Sequence, residues 1–270
     1  MSAIERMRMR RVPEYRIDEL GERAHDYAVI AFVINEGEKI RKQIKQTAEL
    51  APDADIVIAD GGSTDGSLDA DYLRAHGVRA LLTKLGPGKL SAQMRMAFDW
   101  ALDQGYLGVV VVDGNGKDDV SAVDDFVDLL REGYDHIQGS RFIPGGRAIN
   151  TPLSRLVALK LIHAPLISLA SGQCHTDTTN GFRAYSARLL GDPEVAVFRD
   201  IFQSYELHYH LAIESSRLDR FRTTETPVTR AYPAEGKTPT KISPLRGNAH
   251  VLRILLAAVR GKYRHRAGTE

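Results

Sequence analysis

The stretch Asp55-Ile56-Val57-Ile58-Ala59-Asp60-Gly61-Gly62-Ser63-Thr64-Asp65-Gly66 decides how the chain is read. Its first five residues run without polar alternation, as in a strand covered on both faces. The turn that follows opens on an acid and carries Gly61, Gly62 and Gly66, which allow close backbone approach. The same design recurs where Val109-Val110-Val111-Val112 leads into Asp113-Gly114-Asn115-Gly116. In an open α/β sheet, ligands bind outside the carboxyl ends of the strands, so the two acidic turns are expected on one crevice.

Outward from these runs, short β-branched segments alternate with helical patterns, which predicts a parallel sheet with crossover helices. The expected strands are 27–34, 55–59, 79–83, 108–112 and 136–139. Helices are expected over 38–50, 67–76, 90–104 and 120–132. After Gly139 the alternation stops. One long helix is expected over 151–171, interrupted near Pro165, then another over 205–217 and a strand over 223–228. The polar stretch 230–248, with Pro233, Gly236, Pro239, Pro244 and Gly247, reads as a mobile loop. The layout is a single α/β domain: residues 1–26 an extension, 27–230 the domain, 231–270 a basic loop followed by a C-terminal amphipathic helix and tail.

The chain has 270 residues and is 43% hydrophobic, enough for one sizeable core. Its 36 Lys and Arg balance 35 Asp and Glu to a net charge of +1, which gives no field to recruit nucleic acid. The lone Cys174 can form neither an internal disulfide nor a cysteine metal cage, as expected in a reducing compartment. No apolar stretch follows Arg6, Arg8, Arg10 and Arg11, so a cytoplasmic protein is expected. The apolar segments 156–170 and 249–259 fall short of the ~20 residues that a spanning helix needs. The second lies among Arg246, Arg253, Arg260, Lys262, Arg264 and Arg266, a pattern suited either to a docked C-terminal helix or to peripheral contact with an anionic membrane.

At the first acidic turn, Asp60 can accept hydrogen bonds from a base or ribose. At the second, Asp113 and Asn115 offer oxygen ligands to a hard divalent cation bridging two phosphates. Taken alone, each is also an ordinary turn capped through Asp65 or Ser67, or through Asp118 or Asp119. Arg141, after the next strand, suits a bidentate phosphate clamp. The polar run from Asp177 to Arg183 offers Asp177 as a general base, and Glu206, at the start of a helix, is the second candidate. An acid in a first helical turn also simply complements the dipole.

From about Tyr27 to Lys241 these motifs resemble the family 2 glycosyltransferases, within them the dolichyl- or polyprenyl-phosphate sugar synthases. Asn35-Glu36, Asp60 to Gly66 and Gly86-Pro87-Gly88-Lys89-Leu90 are similar to the family's Asn-Glu, Asp-Asp-Gly-Ser-Thr-Asp-Gly and Pro-Gly-Lys-Leu elements. Asp113-Gly114-Asn115 sits where the family keeps its metal-binding Asp-x-Asp. Gly139-Ser140-Arg141-Phe142, Asp177 to Tyr185, and Gly236-Lys237-Thr238 with Lys241 are similar to its later blocks. Three departures stand out. Phe32-Val33-Ile34 replaces Pro-x-Tyr, Asn115 replaces the second aspartate, and Lys117 stands where the synthases often carry a further polar ligand. A neutral amide and an ammonium weaken a cation site, with Asp118 a substitute ligand.

The resemblance implies a GT-A fold, Rossmann-like with a mostly parallel sheet, and inverting transfer of a sugar from a nucleoside-diphosphate sugar. The implied acceptor is a lipid phosphate or a saccharide of a cell-surface polysaccharide or glycolipid. It implies donor contacts at Asn35, Glu36, Asp60, Gly62, Lys89, Arg141, Arg183, Lys237 and Lys241. It also implies Mg²⁺ or Mn²⁺ at Asp113 and Asn115. Nothing in the pattern opposes a homo-oligomer. Two other readings stay open: a non-catalytic nucleotide-sugar binder, and a sugar nucleotidyltransferase, which would show a basic glycine-rich loop after the first strand where Asn35-Glu36 stands.

Overall fold

A computed structural model describes residues 10–233 and 246–265. The expected central strands form as β2 (Tyr27–Val33), β3 (Asp55–Asp60), β4 (Val78–Lys84), β5 (Gly108–Asp113) and β6 (His136–Ser140). Between them lie α1 (Glu38–Leu50), α2 (Ala70–Ala75), α3 (Leu90–Asp103) and α4 (Val123–Arg131), the last preceded by a 3₁₀ turn at Val120–Ala122. Residues 67–69, expected at the start of α2, stay outside it because the Asp69 side chain accepts from the Tyr72 amide and caps the helix there.

The remaining strands are β1 (Tyr15–Glu19), β7 (Arg147–Ile149), β8 (Arg183–Ser186), β9 (Thr223–Pro227) and β10 (Thr229–Ala231). One eight-stranded sheet runs β1-β4-β3-β2-β5-β8-β6-β9, and β7 pairs with β10 in a small second sheet. Two strands depart from the parallel pattern: β1 is antiparallel to β4, and β8 is inserted antiparallel between β5 and β6. The segment read as an N-terminal extension therefore supplies an edge strand. Its Arg16, Asp18 and Glu19 keep it too polar to register as one.

The chain leaves β2 toward β3 on one side and reaches β5 on the other, so the order reverses around β2. Val33 pairs with Asp60 and Phe32 with Asp113, which sets the two acids at the ends of strands flanking β2. Such a reversal opens a crevice at the carboxyl ends of the strands. Along β2, Ala28, Ile30 and Phe32 enter one core while Val29, Ala31 and Val33 enter the other. The first core is sealed by α3, whose Phe98 and Trp100 are buried, and by α8 (Glu206–Arg217). The second is sealed by Ile40 and Ile44 of α1 and by Phe126 of α4, stacked on Phe182 at 4.4 Å.

The long helix is continuous: α5 (Leu153–Ala158), a π turn at Leu159–His163, α6 (Ala164–Ser171). The π turn ends just before Pro165, which has no N–H to bond back into the preceding turn, so the α-helical ladder is broken near the expected position. The 19 residues Leu153–Ser171 are long and apolar enough to cross a membrane, against the shorter span expected. A four-residue α7 (Ala187–Leu190) follows β8, and α9 (Arg246–Val259) places Ile254, Leu255 and Ala258 in the first core. The C-terminal helix thus turns Ile254, Leu255 and Ala258 inward.

Gly139 shows how tightly β8 is set. A Cβ there would stand 2.7 Å from the Phe182 carbonyl oxygen and 3.1 Å from the Phe126 ring. Gly139→Ala is expected to cost about 1–3 kcal/mol, the range for overpacking a filled interior, as a lower urea midpoint at unchanged slope.

Candidate active site

The two loops beside β2 are stitched together by their own side chains. Asn35, at φ 49, accepts from the Thr64 amide at 2.8 Å, and its own amide donates to the Ser63 hydroxyl at 2.9 Å. Asp65 accepts from the Gly37 amide at 2.9 Å. Asp60 is buried, and its carboxylate takes the Ser63 amide at 2.9 and 3.0 Å and the Ser63 hydroxyl at 2.6 Å. Gly62, at φ +98, makes the turn that permits this. Gln93 of α3, which the sequence did not single out, donates to the carbonyls of Val33 and Ala59 and pins both strand ends.

Across the crevice Asp113 meets Arg230. The guanidinium donates to Asp113 Oδ2 at 2.7 Å, to Asp118 Oδ1 at 2.5 Å and to Asn180 Oδ1 at 3.4 Å. Burial works against the charge of Arg230, but Asp118 and Asp113 outweigh it and hold its pKa above the ordinary value. Burial likewise opposes ionisation of Asp113, and Arg230 wins, so its carboxyl lies below the usual range. The backbone reinforces the bridge: the Asp119 amide donates to the Thr229 carbonyl and the Ala231 amide to that of Lys117. Gly181 closes the far side, since a Cβ there would lie 3.0 Å from Asp113 Oδ1. Asp118, a substitute ligand by sequence, has a wholly buried side chain committed to Arg230.

Around Tyr232 the structure collects three cations. Lys117 Nζ lies 5.2 Å from the ring centroid, and the guanidinium carbons of Arg155 and Arg230 lie at 5.5 and 6.0 Å. Arg155 also donates to the Tyr232 hydroxyl at 3.0 Å. Burial pushes Lys117 toward its neutral form, and the nearby Arg230 adds to that. Arg230, Tyr232 and Arg155 went unnoticed by sequence reasoning, which took residues from 230 onward as loop. The available signal was position, because Arg230 follows directly on a strand whose end faces the crevice.

Several expected site residues are engaged elsewhere. Asp177 and Arg141 form a buried bidentate pair, Nε to Oδ2 at 2.6 Å and Nη2 to Oδ1 at 2.9 Å, with side chains 0% and 4% exposed. A carboxylate so held is neither open to solvent nor placed to take a proton, and the arginine is not free to clamp phosphate. Arg183 is buried in β8 and donates to the carbonyls of Asn180, Thr178 and His208, each at 2.9 Å. It braces the loop before β8 rather than a ligand. Glu206 accepts the Gln203 and Ser204 amides at 3.0 and 2.5 Å, closing the entry of α8. Lys89 is exposed just before α3, its amide on the Gln203 carbonyl at 2.6 Å. Glu36 is half-buried beside Asn35. Lys237 and Lys241 lie outside the described residues.

No family model matches the chain. It is 30% identical over 169 residues to polyprenol monophosphomannose synthase of Mycolicibacterium smegmatis, covering 60% of this chain and 62% of that protein. To undecaprenyl-phosphate mannosyltransferase of Micrococcus luteus it is 29% identical over 200 residues, covering 72% and 79%. Among solved structures, glucosyl-3-phosphoglycerate synthase of Mycobacterium tuberculosis, in complex with Mn²⁺, UDP and phosphoglyceric acid, superposes with a TM-score of 0.61 at 18% identity. That match covers 90% of this chain and 80% of the other. The match to the first relative thus spans less than two thirds of its length. These likenesses bear out the GT-A fold and the resemblance to family 2 glycosyltransferases of the polyprenyl-phosphate branch.

The Arg141–Asp177 pair yields a sharp expectation. Asp177→Asn leaves a buried guanidinium without its counter-charge and should cost about 3–5 kcal/mol in chemical denaturation. The double variant Asp177→Leu with Arg141→Met should recover most of that loss. A stable Asp177→Asn protein whose turnover alone collapses would return Asp177 to the base role.

Proposed function

We propose that this chain is an inverting glycosyltransferase that moves a sugar from a nucleoside-diphosphate sugar to a polyprenyl phosphate. The observation that carries the reading is the crevice at the β2 reversal. Asp60 lies at one flank, Asp113 at the other, and Lys117, Arg155 and Arg230 gather beside Asp113. Base and ribose fit the acidic, glycine-lined flank of Asp60. The diphosphate fits the basic one.

In the reaction an acceptor oxygen forms a bond to the anomeric carbon as the bond from that carbon to the β-phosphate oxygen breaks. The electron pair leaves with the nucleoside diphosphate, and the cations beside Asp113 receive the charge it develops. The nature of the acceptor follows from the engaged carboxylates. A sugar hydroxyl needs a base, and both sequence candidates, Asp177 and Glu206, are bound up in structural hydrogen bonds. A phosphate arrives already ionised and needs none. The names of the two mannosyltransferase relatives support the same acceptor.

The helix Leu153–Ser171 supports a lipid acceptor independently. Leu153, Leu161 and Leu169 are 73%, 72% and 79% exposed, with Val157 also outward and Lys160 beside them. Such a face suits burial among the headgroups and upper acyl chains of an anionic bilayer, with the helix lying in the plane of the surface.

The first test is extraction. Incubated with undecaprenyl phosphate and each of UDP-, GDP-, CDP- and dTDP-sugars, the protein should yield a butanol-soluble glycolipid from one donor. Label appearing only in a water-soluble saccharide would refute the lipid acceptor, and binding without release of nucleoside diphosphate would make the chain a binder. The second is co-sedimentation with anionic vesicles. Exposing one leucine costs ~1.5 kcal/mol or more, so Leu161→Asp with Leu169→Asp should weaken vesicle binding by about a hundredfold. Unchanged binding would remove this helix from the membrane contact.

A further inference from the structure

The Asp113 turn does not fit a divalent cation. One of the two Asp113 oxygens, Oδ2, is taken by a guanidinium, the next offered ligand is the Asn115 amide, and the third position holds the Lys117 ammonium. Among the described residues no cluster of three or more His, Cys, Asp or Glu side chains is arranged to hold a metal ion. Three cations, Lys117, Arg155 and Arg230, here face two carboxylates, and Asp118 is wholly buried. Adding two positive charges to that group raises its repulsion, whereas adding a diphosphate relieves it.

Accepting the sugar-nucleotide reading above, we infer that Lys117, backed by the fixed charge of Arg230, takes the place of the divalent ion, binding the donor diphosphate and receiving the leaving-group charge directly, so that transfer does not require a metal. The fixed geometry favours this. Arg230 is anchored by Asp113, Asp118 and Asn180, so the charge is in place before the ligand arrives and needs no reorganisation as the bond breaks. Lys117 lies over the Tyr232 ring, Nζ 5.2 Å from its centroid, so the ring face stands in for part of its water. A partly desolvated ammonium gives up less water to meet a phosphate.

The test uses the full chain stripped with EDTA and titrated calorimetrically with UDP, GDP, CDP and dTDP, first in excess EDTA and then in excess MnCl₂. The expected result is one nucleotide bound with a Kd that changes by no more than about twofold between the two. Electron paramagnetic resonance of MnCl₂ with the nucleotide-free protein should show no uptake of the ion. Lys117→Gln, with its melting temperature checked, should lose about tenfold in EDTA, and Lys117→Arg should retain binding. Nucleotide binding that appears only with MnCl₂, or Mn²⁺ uptake by the unliganded protein, overturns the inference while leaving the transferase reading intact. Failure of all four nucleotides under both conditions overturns the sugar-nucleotide reading itself, and this inference with it.

Discussion

A buried arginine is tolerable only where acids close around it, and Arg230 meets that condition through Asp113 at 2.7 Å and Asp118 at 2.5 Å. The contact reaches across the sheet. It joins the end of β5 to the β9–β10 segment and, through Asn180, to the loop before β8. Three chain segments far apart in sequence are thereby held at one point. Take away the guanidinium and two carboxylates are left facing each other in a closed space. The position of Asp113 is therefore set by its counter-charge as much as by its strand.

The inserted strand β8 is the second determinant of the site. Because it runs antiparallel between β5 and β6, the residues before it are delivered to the crevice end of the sheet. There Gly181 lies against Asp113, and the Asn180 side chain reaches both Arg230 and the Gly139 carbonyl. Phe182, stacked on Phe126, gives the loop an apolar anchor at its end. Arg141–Asp177 and the three carbonyls held by Arg183 fix the polar residues before it. Polar residues there are a scaffold, which is why so many titratable groups gather beside the crevice without taking part in chemistry.

What the sequence disclosed follows from the same physics. Central strands such as Ile56-Val57-Ile58 and Val109 to Val112 are covered on both faces, so their apolar runs mark them directly, and the acids at their ends announce the crevice. Edge and inserted strands escaped notice because Tyr15–Glu19 is largely solvated and Arg183–Ser186 is short and opens on an arginine. The partners of Asp177, Glu206 and Arg141 were hidden for a different reason. A carboxylate aimed at a substrate and one aimed at a buried arginine have the same letter, and only the tertiary partner separates them. Arg230 was missed from the opposite side, being polar in a stretch rich in proline and glycine.

The π turn at Leu159–His163 has a consequence for the face of the helix it interrupts. A straight α-helix advances about 100° per residue, so positions eight apart drift by about 80° and positions sixteen apart by about 160°. A wider turn adds roughly one residue without adding a full step of rotation, and the drift is largely cancelled. Leu153, Leu161 and Leu169 can then share one outward line while Ile167 stays wholly buried in the core. A single-residue deletion within that turn would rotate α6 by about a quarter turn against α5, carrying Leu169 off the line and Ile167 toward solvent. The length of this one turn therefore sets the phase of the whole outward face.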